Sequence, residues 1–182
     1  MKKNFNEILH DNETIFTNRL ILRKFKKEDA EDVFEYASDD ETTEFLIFET
    51  HKSIEESTAV IFDYYLSRPG IFAIEFEKKC IGCIDFSVDP DHEKAGFGYV
   101  LNRKFWNKGF MTEALAAILK LCFEKLELNR VEANHYVGNE GSGKVMQKCG
   151  MKLEGTGIRE EKIKGVFRDI VHYAILKEEF SC

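Results

Sequence analysis

The stretch from Gly96 to Met151 constrains the fold of this chain more than any other part of the sequence. It is typical of a strand, a glycine-containing loop, a helix, a second strand, a second glycine-containing loop and a second helix. Each loop leads into a helix N-terminus, where unpaired backbone N–H groups and the helix dipole favour an anion. The rest of the chain lacks a comparable concentration of such features, so we expect the functional site here.

Hydrophobic periodicity predicts the element order β-α-α-β-β-β-α-β-α-β-β. The predicted strands cover 19–25, 71–76, 80–88, 95–101, 131–137, 153–163 and 167–176, and the predicted helices cover 27–38, 53–67, 111–126 and 143–149. Adjacent strands with short turns form antiparallel pairs. We therefore expect an α+β fold, with a mixed, mostly antiparallel sheet of about seven strands flanked by helices. We also expect one domain over 1–182, with 1–15 as a polar leader or a short helix.

Two local patterns make detailed predictions about side-chain direction. The helix over 53–67 begins at a capping Ser53, and its predicted apolar side consists of Ile54, Ala59, Ile61, Phe62 and Leu66. Cys80 and Cys83 form a lone CxxC pair in an apolar strand pattern, where positions three apart face opposite sides. A zinc site needs a second ligand pair at a suitable spacing. We interpret both cysteines as small core residues and predict no metal site.

Charge and composition exclude several function classes. The net charge of −7 argues against nucleic-acid binding, which depends on Lys and Arg neutralising phosphates. No apolar run approaches the ~20 residues of a membrane helix, so we expect no membrane association. The first residues carry lysines but no apolar segment followed by a cleavage site. We therefore expect a cytoplasmic protein.

The first loop reverses the acidic character of the chain. From Lys94 to Thr112 the sequence contains basic residues and no acid. The basic residues are Lys94, Arg103, Lys104 and Lys108. Positive charge before a helix N-terminus favours a phosphate, and Gly109 allows close approach of the ligand to the backbone. An ordinary solvated loop with a turn glycine explains the same residues equally well.

The second loop supports two interpretations. Residues 138–144, GNEGSGK, match most of a P-loop, which indicates a nucleotide-binding protein, but Val145 replaces the hydroxyl that would hold Mg²⁺. In the other interpretation Asn139 caps the helix and Ser142 lies in its first turn. Gly141 and Gly143 weaken a helix start, which is easier to understand if a ligand approaches that backbone closely.

Three motifs resemble the GNAT N-acetyltransferase superfamily, in its RimJ/RimL-like ribosomal-protein acetyltransferase branch. Residues 17–23, TNRLILR, resemble its opening strand, T-x-R-L-x-L-R. Residues 98–101, GYVL, followed by 105–114, FWNKGFMTEA, resemble G-Y-x-L and Y-W-G-K-G-Y-A-T-E-A. Residues 139–142, NEGS, running to 149–151, CGM, resemble N-E-x-S and L-G-F. Two positions depart from these motifs: Asn107 stands where the branch usually has Gly, and Met111 stands where it has Gly or Ala.

The resemblance implies acetyl-CoA as cosubstrate. Its pyrophosphate would lie on the backbone N–H groups of the loop and first helical turn, which belong to Asn107, Lys108, Gly109, Phe110, Met111 and Thr112. The pantetheine arm would pair with the backbone of Val100 and Leu101 like an added strand. Asn139 would hold the pantetheine amide, and Lys144 or Lys108 would suit a phosphate of CoA.

The resemblance also implies direct attack of an amine on the thioester in a ternary complex. Ser142 is then the candidate proton donor to the sulfur, and Glu161 the candidate that takes the amine proton. Tyr136 is a reserve acid and Asp85 a lesser candidate base. Three histidines lack a spaced partner and are interpreted as structural, namely His51, His92 and His135. A CoA-binding module without catalysis is an alternative.

The acceptor is the least constrained part of the interpretation. Acidic residues alternate with apolar ones before the second helix, which would suit a cationic amine or a basic peptide N-terminus. The acids are Asp39, Asp40, Glu41, Glu44 and Glu49, and the apolar residues are Phe45, Leu46 and Phe48. We expect a small-molecule amine or a protein N-terminus, with a ribosomal protein among the candidates, and a monomer or homodimer.

Overall fold

Eight strands form one sheet in the computed structural model, which describes residues 5–181. In chain order they are β1 (Thr14–Phe16), β2 (Ile21–Arg23), β3 (Ile71–Phe76), β4 (Lys79–Asp89), β5 (Lys94–Leu101), β6 (Arg130–Tyr136), β7 (Lys152–Ile163) and β8 (Val166–Leu176). Their order across the sheet is β1-β2-β3-β4-β5-β6-β8-β7. Only β5 and β6 of these strands pair in parallel. The predicted mixed, mostly antiparallel sheet is confirmed.

Helices cover both faces of this sheet. They are α1 (Phe5–Asp11), α2 (Ala30–Ala37), α3 (Asp40–Thr43), α4 (Ile54–Val60), α5 (Phe110–Lys120) and α6 (Glu140–Lys148). Single π-helical segments, Ile61–Tyr65 and Leu121–Lys125, extend α4 and α5. The predicted order of helices is confirmed, and α3 is an addition. No helix in the described part of the chain is long and apolar enough to cross a membrane.

The N-terminal segment contains more structure than a polar leader. Within 1–15, the structure describes α1 and the start of β1, while residues 1–4 lie outside the described part. Leu9 is 6% exposed and packs on the main core, and β1 pairs with β2 through Thr14 and Arg23. Strand β1 is the one described strand that the sequence pattern did not predict. With three residues, it is too short to show an alternation of apolar and polar positions.

Two cores lie on opposite faces of the sheet. The larger one packs α1, α5 and α6 against the sheet, with Leu115, Ile118 and Met146 fully buried. The smaller one packs α2 and the end of α4 against the other face through Val33, Tyr36 and Ile61. We call these the α5/α6 face and the α2/α4 face. Alternation in β4 and β5 supplies apolar side chains to both cores.

A β-bulge in β4 changes the predicted geometry of the CxxC pair. Cys80 pairs with Glu75 and Gly82 with Ile74, so Ile81 is an extra residue in the strand. Cys80 and Cys83 therefore join the same core on the α2/α4 face, whereas Ile81 points to the other core. The prediction of opposite faces is wrong because strict alternation ignores bulges. Both thiols are buried, which confirms the prediction of core residues.

The predicted apolar side of the helix over 53–67 is largely wrong. Ile54, Phe62 and Leu66 are 41%, 47% and 41% exposed, while Ser57 and Ile61 are buried. The inward face is set by a polar contact, since the Ser57 hydroxyl lies 2.8 Å from Nδ1 of the buried His51. The change to a π-helical turn at Ile61 then rotates the following residues away from the α-helical pattern.

Candidate functional site

The parallel pair β5 and β6 is open along most of its length. The two strands pair only through Lys94–Arg130, Ala95–Val131 and Gly96–Glu132. Beyond them, 97–101 continue along β4 and 133–136 continue along β8. We call the space between these two segments the gap. A cavity of about 470 Å³, the gap cavity, runs through it and is lined by both strands, a size typical of small-molecule sites.

Backbone groups of β5 face the gap at alternate positions. Asn102 N–H donates to Ile81 C=O of β4 at 2.8 Å, so the backbone of the preceding residue, Leu101, points away from β4. The Leu101 carbonyl accepts a hydrogen bond from the indole N–H of Trp106 at 2.7 Å. The backbone N–H of Leu101 points toward the gap. By the same alternation Val100 faces β4 with its backbone, and its side chain lines the cavity. Of the two residues expected to pair with pantetheine through their backbone, Leu101 therefore faces the gap, whereas the backbone of Val100 is turned to Cys83 of β4.

The first loop ends at an uncapped helix N-terminus. Gly109 precedes α5 with φ of 78°, a left-handed conformation that glycine adopts without strain. As a glycine it has no side chain to cap the helix. The first intrahelical bond runs from Glu113 N–H to Gly109 C=O at 3.0 Å. The N–H groups of Phe110, Met111 and Thr112 therefore precede the helical ladder. Residues 107–109 are exposed. This turn presents the electropositive end of the dipole to solvent.

An ion-pair cluster fixes this helix start to the N-terminal segment. The Glu113 carboxylate accepts hydrogen bonds from Thr17 Oγ1 at 2.6 Å and from Arg19 N and Nε, each at 2.7 Å. Arg19 also donates to Lys108 C=O at 3.0 Å and lies 4.3 Å from the centre of the Phe110 ring. Burial opposes ionisation, but these bonds lower the pKa of Glu113. Sequence reasoning missed this contact, although Thr17, Arg19 and Glu113 all lie within the quoted motifs.

Most of the predicted positive charge of the first loop is paired. Arg103 lies 3.3 Å from Asp39 and 3.0 Å from Glu41, and Lys104 lies 2.6 Å from Glu35. Lys94 similarly pairs with Glu132 at 2.8 Å. The local excess of positive charge is therefore smaller than the sequence indicates, because the acids come from distant segments. Lys108 Nζ instead donates to the carbonyl of Lys104 at 2.8 Å and lies at the exposed edge of the loop.

The second loop is a capped helix start and not a phosphate cradle. Asn139 caps α6, with its side-chain oxygen accepting the N–H of Ser142 at 3.4 Å, which confirms the predicted cap. Helix α6 begins at Glu140, so Gly141, Gly143 and the exposed Lys144 belong to the helix itself. A Cβ at Gly143 would lie 2.6 Å from Nε2 of His135, so close helix–strand packing explains this glycine. The P-loop interpretation is wrong.

Ser142 is held by a tyrosine that lies across the gap. The Tyr99 hydroxyl donates to the Ser142 carbonyl at 3.0 Å and lies 2.8 Å from Ser142 Oγ. Burial raises the pKa of Tyr99, so this hydroxyl stays protonated at neutral pH. Both residues line the gap cavity, as does Asn139. Sequence reasoning named Ser142 and Asn139 but not Tyr99, whose signal was its place in the G-Y-x-L motif.

Glu161 lies beside the gap cavity but does not line it. Tyr136 lines the cavity, and its hydroxyl donates to Glu161 Oε2 at 3.3 Å. Burial raises the pKa of Tyr136 to about 12. Between Gly157 and Glu161 strand β7 bulges, so Glu160 bonds His172 at 2.8 Å and simple alternation does not describe this stretch. Glu161 itself is half-buried.

Among the described residues that line the gap cavity, Asp85 alone carries a carboxylate. It extends from β4 toward the α2/α4 face, opposite Gly98 of β5, whose lack of a side chain leaves room for it. Burial raises the pKa of Asp85 to about 6, against the lowering effects of a backbone hydrogen bond and the positive charge of Arg68. An acid with this pKa exchanges protons near neutral pH.

The segment before α4 contributes its apolar residues, not its acids, to the gap cavity. Phe45, Leu46 and Phe48 line the cavity as predicted from their position. Asp39 instead caps α3, accepting from Thr42 N–H at 2.9 Å, and shares Arg103 with Glu41. The Thr42 hydroxyl bond is the main reason that the pKa of Asp39 is lowered. Two acids of the predicted rim, Asp39 and Glu41, are thus paired within the protein.

Known families and proteins include relatives of this chain. A model of the acetyltransferase (GNAT) domain matches residues 19–152. The uncharacterized N-acetyltransferase p20 of Bacillus licheniformis is 31% identical over 93% of this chain and 99% of its own length. The [ribosomal protein uS5]-alanine N-acetyltransferase of Escherichia coli is 30% identical over 58% of this chain and 55% of its own length.

Solved structures give the same result. A GNAT-family acetyltransferase from Bacillus anthracis superposes with a TM-score of 0.84 at 30% identity, covering 91% of this chain and 99% of its own. RimL, a ribosomal L7/L12 alpha-N-protein acetyltransferase in complex with coenzyme A, superposes with a TM-score of 0.79 at 20% identity, covering 90% and 98%. At that identity the second likeness concerns the fold alone.

Proposed function

Because this chain belongs to the GNAT acetyltransferase family, we propose that it is an N-acetyltransferase that moves the acetyl group of acetyl-CoA to a primary amine. The observation that carries the proposal is the gap cavity, whose walls bring Ser142 of α6 and the Asp85 carboxylate of β4 to one space. An acyl transfer needs an anion site for the cosubstrate, a proton donor for the leaving thiolate and a proton acceptor for the amine.

The residues around the gap fit acetyl-CoA, which supplies an activated acetyl group when bound. We propose that the backbone from Asn107 to Thr112 holds its pyrophosphate, because the N–H groups there are exposed or precede the helical ladder. The gap-facing N–H of Leu101 would pair with the pantetheine arm. Asn139, whose oxygen is used in the cap, has its amide N–H₂ left for a pantetheine carbonyl. Lys108 and Lys144 lie exposed near these ends and suit a phosphate.

The proton donor is assigned to Ser142. Its hydroxyl lies at the gap, and its own hydrogen bond to Tyr99 fixes the oxygen at 2.8 Å from a second hydroxyl. When Ser142 gives its proton to the thiolate, the Tyr99 hydroxyl can stabilise the remaining oxygen by donating a hydrogen bond, because burial raises the pKa of Tyr99 and keeps it protonated. The amine attacks without a covalent protein intermediate, so Ser142 is a donor and not a nucleophile.

Two carboxylates are candidates for taking the amine proton. The resemblance to RimL-like enzymes implies Glu161, and its contact with Tyr136 connects it to the cavity wall. Asp85 lines the cavity directly, and burial raises its pKa to about 6. The relative that acts on ribosomal protein uS5 supports a protein N-terminus among the acceptors, beside small amines.

Calorimetry and a thiol-release assay test this function. We expect titration with acetyl-CoA and CoA to show binding, and titration with Mg-ATP to show none, because α6 forms no phosphate cradle. Thiol release from acetyl-CoA should then depend on an added amine. Binding of CoA without turnover on any amine or peptide would favour the alternative of a binding module. Absence of acetyl-CoA binding would contradict the proposal.

A further inference from the structure

The α2/α4 side of the gap cavity is strongly apolar and aromatic. Its walls include Phe45 and Phe48 before α4, and Tyr64 and Tyr65 in the π-helical turn after it. His51 also lines this side, and burial lowers its pKa, so it is uncharged at neutral pH. A surface of this kind stabilises an apolar group by removing it from water, and it offers little to a flexible polar chain.

One carboxylate faces this apolar space. Asp85 projects from β4 between these aromatic walls and the open backbone at Gly98. The ionisable groups that face it are Arg68 after the π-helical turn, Tyr65 within it, and Cys83 on its own strand. Burial keeps the pKa of Tyr65 and Cys83 well above their usual ranges, so both are neutral at pH 7. Arg68 does not line the gap cavity, so on the gap side the Asp85 carboxylate can pair with a single ammonium group of the ligand.

Solvent reaches Asp85 from a second direction. A larger cavity of about 880 Å³, the outer cavity, lies between α1, β4 and the turn after α5. Asp85 and Tyr64 line both cavities, so they form the partition between them. The walls of the outer cavity contain polar groups such as Arg68 and Ser87. A proton that Asp85 receives from the gap cavity can therefore pass to water in the outer cavity, without returning through the gap cavity.

We propose that the acceptor is a primary amine borne by an aromatic or branched aliphatic group, and that it binds in the gap cavity with its nitrogen at Asp85. This inference rests on the proposed acetyltransferase activity. The ammonium form loses one proton to the Asp85 carboxylate, and the neutral nitrogen forms a C–N bond to the acetyl carbon. The C–S bond then breaks, the thiolate gains a proton from the Ser142 hydroxyl, and Ser142 regains one through water as the nitrogen loses its second proton, while Asp85 passes the first proton to solvent. The net products are an amide, a thiol and one proton released to solvent.

A panel of acceptors tests the substrate class. Phenethylamine, tryptamine, leucine amide and hexapeptides that begin with Phe or Leu form one set, and spermidine and hexapeptides that begin with Ser or Lys form the other. We expect kcat/KM at least about tenfold higher for the first set, since each buried apolar group favours binding. Whether free amines or peptides lead within that set identifies the source of the amine. Preference for spermidine or for the Ser and Lys peptides would overturn the inference and leave the acetyltransferase activity standing.

Matched amide substitutions test the role of Asp85. Asp85→Asn should lower kcat/KM for the best acceptor by about 100-fold at pH 7 and remove the fall in rate that we expect for the parent protein below about pH 6. Glu161→Gln should retain that fall and lose no more than about fivefold. Asp63→Asn, at an exposed carboxylate on the neighbouring turn, is the control. Acetyl-CoA affinity, measured for each variant, reports correct folding. A large loss confined to Glu161→Gln, shrinking as pH rises, would assign the base to Glu161 and contradict this inference.

Discussion

The α5/α6 side of the gap is built from one continuous stretch of sequence, whereas the α2/α4 side is assembled from distant segments. Leu101, Gly109, Asn139 and Ser142 all lie between β5 and the first turn of α6. The α2/α4 side instead combines 45–48, 60–65, β4 and β6. The first side combines backbone groups of Leu101 and Gly109 with the side chains of Asn139 and Ser142, whereas side chains from several segments make up the second. A site built in a fixed loop–helix order leaves a motif, whereas a pocket made of side chains from many segments does not.

This difference predicts that the two sides respond separately to substitution. Changes on the α5/α6 side should alter acetyl-CoA affinity or the departure of its thiol. Changes on the α2/α4 side should alter amine selectivity and pH dependence. A variant that alters both properties would contradict the division of the site into two independently built sides.

Ser142→Ala gives the largest expected effect. Removal of the proton donor should lower kcat by about 100-fold or more, the usual contribution of a positioned acid, while the Kd for acetyl-CoA changes by less than about threefold. Stopped-flow thiol release and calorimetry measure the two quantities. Tyr99→Phe is the companion variant, because it keeps the ring but removes the hydroxyl that lies 2.8 Å from Ser142 Oγ. It should reduce kcat less than Ser142→Ala does. Unchanged turnover in Ser142→Ala would exclude this donor.

Gly109→Ala should weaken acetyl-CoA binding by about tenfold. A Cβ at this position makes only an ordinary contact with Arg19 within the protein, but it projects from the loop proposed to hold the pyrophosphate, and the positive φ adds strain. Gly165→Ala is a matched control, because Gly165 has φ of 80° in the β7–β8 turn with open space around it. It should lose similar stability and keep its acetyl-CoA affinity. Equal losses of affinity in both variants would indicate strain alone.

Asp85→Asn should stabilise the protein at high pH. The pKa of Asp85 is about 6 in the folded protein and about 3.9 when unfolded, so the folded state binds the proton more tightly. Stability therefore falls as pH rises from about 4 to about 6, and the variant lacks this loss. At pH 8 we expect its free energy of unfolding to exceed the parent value by about 1–2 kcal/mol, a figure reduced for partial solvent access. Urea denaturation at pH 5 and pH 8 measures this, and a destabilised variant at pH 8 would indicate a structural role.

The smallest expected effect is a difference in acetyl-CoA affinity between substitutions at two lysines of the first loop. Lys108→Ala should weaken acetyl-CoA binding by about two- to fivefold, and added salt should reduce the difference. Lys104→Ala should leave affinity within about twofold, because Lys104 is paired with Glu35 at 2.6 Å. Calorimetry at low and high salt distinguishes them. Equal effects of the two substitutions would contradict the view that pairing removes Lys104 from the binding surface.

Periodicity and motifs predicted most of the fold and the α5/α6 side of the gap. Strands β3 to β8 and helices α5 and α6 follow from local patterns, because each buries a regular apolar face. The bulge that places Cys80 and Cys83 on one face was not predictable, since it adds a residue without a distinctive side chain. The pairing of Arg103 with Asp39 depends on segments more than sixty positions apart. The burial of Asp85 depends on how the turn after α4 packs over β4, which no spacing in the sequence records.

The gap also divides the sheet mechanically. The half formed by β1–β5 and the half formed by β6–β8 share a hydrogen-bonded seam of only three residue pairs, all at one end. Such a seam acts as a hinge. A ligand that forms backbone hydrogen bonds to both strands across the gap would connect the two halves. Occupancy should therefore slow amide hydrogen exchange in both halves together and join their unfolding into one cooperative step. If acetyl-CoA binds in the gap as proposed, it should complete the sheet as well as supply the group that is transferred.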